Sequence, residues 1–192
     1  MKFKFKSKGE TRTVNTPDRW LDVNVRQFLA LRDRNDPIHI FAAFADVDPH
    51  LVFMAEDSNQ MREAMTKAFE WVAREEPDWP KIRKGQIFRF QGNPYKIDIE
   101  KLPFGISILL EQRMQETEDL NVLTPYACAV YLQPLLDGEY KEDRVEEVEE
   151  LVLKAPAIDM FPLASFFFSK LIGLRIYGPE DSMLFLNPLS NL

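Results

Sequence analysis

The chain has 192 residues, 45% of them apolar and 29% charged, with 15 Phe and a formal net charge of −7. That composition excludes a disordered chain and points to an aromatic-rich core; at this length about 70% of the unfolded chain's surface is buried on folding, so a core forms without staples. The lone cysteine, Cys128, excludes an intrachain disulfide and fits a reducing compartment, while the acidic balance disfavours nucleic-acid binding, which needs clustered cations.

The N-terminus MKFKFKSKGE alternates Lys with Phe, the period-2 pattern of a half-buried strand, and Lys8-Gly9 turns the chain into a second strand at 11–15. A proline-containing linker with Trp20 follows, then an amphipathic helix over 25–34 with Phe28, Leu29 and Leu31 apolar. Asp36-Pro37 and Asp48-Pro49 each pair an N-cap acid with proline at the first helical position, which predicts two short helices, IHIFAAFADV and HLVFMA. Ser58 is read as the cap of a longer helix whose stripe is Met61, Met65, Ala68, Phe69 and Val72, ending near Glu76-Pro77.

The pattern then recurs. Phe88 and Phe90 alternate, Gln91-Gly92-Asn93-Pro94 is read as a turn, and Tyr95, Ile97 and Ile99 alternate again before a second helix over 104–115 with Ile108, Leu109 and Met114 apolar. We read a degenerate repeat of hairpin, linker and helix, dividing the chain into a first unit, 1–85, and a second, 86–192, that pack as one compact domain. Two isolated hairpins are marginal in water, so they pair into one small antiparallel sheet or pack against helices.

After the second unit, Thr124-Pro125 opens a helix that Pro134 closes, and Asp137-Gly138 makes a turn. An acidic helix spans 141–153 with Val145, Val148 and Val152 on one side. The last helix, about 158–172, carries Phe166, Phe167 and Phe168, too many adjacent aromatics for one face, and it serves the core or an interface. The apolar run Met183, Leu184, Phe185 and Leu186 near the end is read as an extra strand or a docking arm. The fold class is therefore α+β, mostly helical with two hairpins.

The residues assemble no recognisable reaction centre. The seven glycines form no phosphate loop, no serine sits in a nucleophile elbow, and the two histidines, His39 and His50, lack metal-ligand spacing, so no cofactor is expected. The nearest approach to a metal cluster is Asp46, Asp48, His50, Glu56 and Asp57, the basis of a rival reading as a metal-dependent enzyme or regulator; Asp48, however, already has work as an N-cap. The apolar segment at 158–174 is interrupted by Asp159, Pro162 and Lys170, so no membrane span is expected and the chain is read as cytosolic.

Residues 17–28, PDRWLDVNVRQF, together with the FxFxGxxY hairpin at 88–95, the Leu-Pro-Phe-Gly helix entry, the aromatic and proline at 131–134, the Glu-rich helix and the late Phe pair, resemble small proteins of phage and prophage tail modules. The family implied is that of tail assembly chaperones or related tail and neck proteins. That resemblance implies a non-enzymatic protein whose partners are other tail or neck proteins, for example a tape-measure protein, in the host cytoplasm during assembly; a virion structural adaptor is the alternative. The expected partner-binding residues are Trp20, Phe166, Phe167 and Phe168, and Met183, Leu184, Phe185 and Leu186. Trp20 is also read as the lock between a hairpin and its helix. The charge is uneven: residues 1–19 hold six cations against two acids and 139–150 hold seven acids against two cations, so homo-oligomers could form through the basic arm and the acidic helix of a neighbouring copy.

Overall fold

The computed structural model describes residues 1–32, 36–98, 104–117 and 119–171. The chain divides into two compact units, Met1–Asp78 and Trp79–Leu192, a boundary slightly ahead of the one drawn from the repeat. It is a mostly helical α+β protein; among the described residues the sheets are two, both small and antiparallel.

In the first unit β1 (Lys2–Ser7) and β2 (Glu10–Asn15) form a hairpin, a 3-10 turn (Trp20–Asp22) leads into α1 (Val25–Arg32), and α2 (Pro37–Ala45), α3 (Pro49–Phe53) and α4 (Ser58–Glu70) follow. The second unit repeats the opening with β3 (Ile87–Phe90), β4 (Asn93–Lys96) and α5 (Phe104–Gln115), then adds α6 (Thr124–Asp137), α7 (Val145–Lys154) and α8 (Ala157–Leu171). Each hairpin turns on two residues with positive φ, Lys8 and Gly9 at 52° and 79°, Gln91 and Gly92 at 50° and 79°. These are type I′ turns, whose twist matches that of the flanking strands.

The tight second turn corrects one expectation, because Asn93-Pro94 belongs to β4 and not to the turn. Phe90 and Asn93 close the loop as the hydrogen-bonded pair, so Arg89 and Pro94 are a non-hydrogen-bonded pair, where proline's missing N–H costs the ladder nothing. Of the two arrangements expected for the hairpins, the joint sheet is not the one found: among the described residues β1 pairs only β2 and β3 only β4, and the first hairpin packs against helices. The free edge of β1 is covered within its own unit, by the Ser7–Ala55 bridge and by the Glu56 N–H donating to the Lys6 carbonyl at 2.8 Å. The other hairpin is lengthened through Gly85, Gln86 and Ile97, and Asp98 N–H donates to the Tyr131 hydroxyl at 2.9 Å.

The first unit's core puts the inner face of its hairpin, Phe5 and Val14, on Phe41, Ala42, Met61, Ala64 and Ala68 of α2 and α4. In the second unit α6 is the central helix. Ala127, Cys128, Ala129 and Val130 have no exposed surface, and their small side chains let α7 and α8 approach closely. The α7 stripe Val145, Val148 and Val152 is buried as its spacing predicts. Pro134 does not end α6, as expected, but lies inside it. The helix stops at Gly138, left-handed at φ 81°, whose N–H donates to the Pro134 carbonyl at 3.0 Å. No side chain caps its start, where Leu123 holds the N-cap position. In α5 the inward residues are Ile106 and Leu110, four apart, whereas Ile108 is exposed.

Candidate protein-binding groove

Two short connections bring α2, α3 and α4 round a common hollow, and each helix start is set by an aspartate. Asp36 accepts from the Ile38 and His39 N–H groups at 2.8 and 3.3 Å, and its other oxygen lies 2.6 Å from His39 Nδ1, which holds the carboxyl below the usual range. Asp48 accepts from His50 N–H at 2.8 Å, the N-cap role its place before Pro49 predicts. At α4 the cap is Asp57 and not Ser58: its Oδ1 accepts from the Asn59 and Gln60 N–H groups at 3.0 and 2.9 Å. A carboxylate outcompetes a hydroxyl here because it brings full negative charge to the positive helix end.

These assignments account for the acidic cluster. Asp46 closes α2 in a left-handed conformation, φ 52°, and the Glu56 carboxylate accepts from Gly9 N–H at 2.7 Å and pairs with Lys6 at 3.1 Å. The Gly9 hydrogen bond, with Lys6 second, holds Glu56 below its ordinary pKa. Among the described residues no three His, Cys, Asp or Glu side chains are placed to hold a metal ion.

The hollow itself is a groove of about 450 Å³. Ile38 of α2 and Val52 and Phe53 of α3 form one wall, and Met61, Met65 and Phe69 of α4 form the other. Phe53 is 69% exposed and the adjacent Met54 43% exposed. Single exposed apolar residues are ordinary on a protein surface; Phe53, in the lining of a mostly apolar hollow, extends it into a patch that water covers poorly. Among the described residues one charged side chain, Arg62, lines the groove. Glu63, the acid next to it on α4, is engaged elsewhere, with Lys67 at 2.6 Å.

The residues expected to bind partners sit differently. Trp20 is 7% exposed; its indole N–H donates to the Glu75 carbonyl at 2.7 Å, and its ring meets Phe28 and Trp71 edge-on at 6.1 and 5.2 Å. It ties the linker to α1 and to the segment that ends and follows α4; these partners are not hairpin residues. Phe167 and Phe168 are buried, Phe167 with its ring centroid 4.0 Å from that of Tyr131, while Phe166 is half-buried. Met183, Leu184, Phe185 and Leu186 lie outside the described residues. On the basic hairpin Lys2, Lys4 and Lys6 share the exposed face. Part of its charge is met locally, Arg12 by Glu10 and Arg19 by Asp22, both at 2.7 Å, just as Arg144 in the acidic region meets Asp137 at 3.3 Å and also Glu147.

Sequence reasoning missed Phe53 and Arg62. A helix of five residues is too short for periodicity to show a face, so Phe53 carried no signal; Arg62 was legible only as a surface residue of α4. No protein-family model, curated protein or solved structure matches the chain. No helix among the described residues is long and apolar enough to cross a membrane.

Proposed function

We propose that this chain is a non-enzymatic protein-binding protein that uses the α2–α3–α4 groove to hold apolar segments of other proteins, as a tail assembly chaperone of a phage-like particle. The observation that carries the binding role is the groove with Phe53 exposed in its lining. Methionine has three rotatable bonds and a polarisable sulfur, so walls built from Met61 and Met65 adapt to more than one client. Each apolar client side chain that enters contributes about 1.5–3 kcal/mol, and association itself costs at least about 4 kcal/mol, so three such side chains leave at most about 5 kcal/mol, a Kd no tighter than about 0.2 mM. Weak binding suits a protein that must release its client. The particle assignment rests on the tail-module resemblance, and it places the protein's work in the host cytoplasm on other tail or neck proteins such as a tape-measure protein.

Pull-down with the full chain from cells expressing the adjacent tail-module genes tests the proposal. Capture of a tail or neck protein that is lost with Phe53→Ser is expected. If nothing is captured, or capture is indifferent to Phe53, the assignment fails.

A further inference from the structure

Resting on the protein-binding reading, we infer that the occupant of the groove is an amphipathic α-helix of about three turns with a carboxylate set into its apolar seam opposite Arg62. The α4 residues that line the groove are Ser58, Met61, Arg62, Met65, Thr66 and Phe69, a helical stripe that runs along most of the element. Eleven residue steps at 1.5 Å each give a wall about 16 Å long, the length of three helical turns.

The walls decide between a helix and an extended segment. They are built from helices, whose backbone groups are bonded internally, so they offer no row of N–H and C=O groups for a strand to pair with. A helix arrives with its own backbone satisfied and presents side chains at i, i+3, i+4 and i+7, the spacing of the α4 stripe itself.

Charge supplies the second criterion. Arg62 is exposed at the lip of a mostly apolar hollow that Ser58 and Thr66 also line, and its neighbour Glu63 is held by Lys67. An apolar helix alone would cover part of the guanidinium's hydration and return nothing for it. A helix carrying one Glu or Asp in its seam replaces that water with an ion pair and is favoured over one carrying Lys, so the charge selects among apolar helices instead of adding much to affinity.

The test uses the full chain and two fluorescein-labelled, capped 14-residue helical peptides with the same leucine seam, one with Glu and the other with Lys at the central seam position. Anisotropy at low salt should show the Glu peptide binding about tenfold more tightly, and the gap should narrow at 0.5 M NaCl as the pair is screened. Arg62→Glu should reverse the preference, and Phe53→Ser should weaken both peptides at least about fivefold; both positions are exposed, and an unchanged circular dichroism spectrum verifies folding. Equal affinity for the two peptides, or a preference untouched by Arg62→Glu, overturns the inference. So does Arg62-dependent binding of dodecanoate by a chain that binds neither peptide, since the groove would then take a fatty acid. The two levels separate cleanly: capture of tail proteins without peptide discrimination sinks this inference alone, and peptide discrimination without capture sinks the particle assignment alone.

Discussion

Gln27 is the polar side chain on which the start of α1 and the end of α2 both depend. It is 7% exposed, and it forms a capping box with Asn24: Asn24 N–H donates to Gln27 Oε1 at 3.0 Å, while Gln27 N–H donates to Asn24 Oδ1 at 2.9 Å. Its Nε2 also donates to the Phe44 carbonyl at 3.1 Å, satisfying an acceptor in the last turn of α2. Gln27→Met keeps the length and apolar stem of the side chain and removes two of these bonds. At roughly 1–1.5 kcal/mol each, with the Phe44 carbonyl left buried, the loss is about 2–3 kcal/mol. Native-state hydrogen exchange reads the first unit separately from the second, which a single melting curve of a two-unit chain cannot. Amides of α1 and α2 should exchange about 30- to 150-fold faster in Gln27→Met, and Asn24→Ala combined with it should add less than it does alone, because the two share a bond. Acceleration below about threefold, or strict additivity, would refute the idea that Gln27 couples the two helices.

Two further outcomes test the second unit. Cys128 has no exposed surface, its thiol lies 3.3 Å from the Met160 carbonyl, and burial pushes its pKa far up, so an aromatic disulfide reagent at pH 8 should leave it intact until urea is added; rapid reaction in the native state would mean that α6 and α8 do not pack as described. Asp159 lies in the first turn of α8, and burial raises its pKa. Between the unfolded value near 4 and the raised folded value the native state binds more protons, so this group's contribution to stability falls as pH rises. Asp159→Asn should therefore raise the melting temperature at pH 7, with the gain vanishing towards about pH 4; a variant less stable than the parent at pH 7 would show that attraction to the helix N-terminus outweighs burial.

The elements that local chemistry governs were legible in advance. Alternating Phe and Lys, the X-Gly pairs at 8–9 and 91–92, and the Asp-Pro caps at 36–37 and 48–49 each act within a few residues, so hairpins and helix starts fall where their residues place them. The misreadings are of the same scale. Pro134 was given the power to end a helix that Gly138 ends, and Ser58 was preferred to the stronger acceptor one residue earlier. The Asn24–Gln27 capping box was present as Asn-Val-Arg-Gln, and only its second partner, the Phe44 carbonyl seventeen residues away, was out of reach.

Which aromatic residues face water is another kind of question. Trp20 beside Asp18, Arg19 and Asp22 has the composition of an exposed site, yet Trp71 and the Glu75 carbonyl, more than fifty residues on, enclose it. Phe53, in a stretch with no periodicity to read, is left uncovered because α3 is one short turn of helix between two longer ones. Turns, caps and stripes are local energies summed over neighbouring residues, and one chain carries them in plain order. Exposure depends on which distant segments return to cover a side chain, so the groove with Arg62 at its lip came into existence only when α2, α3 and α4 packed together.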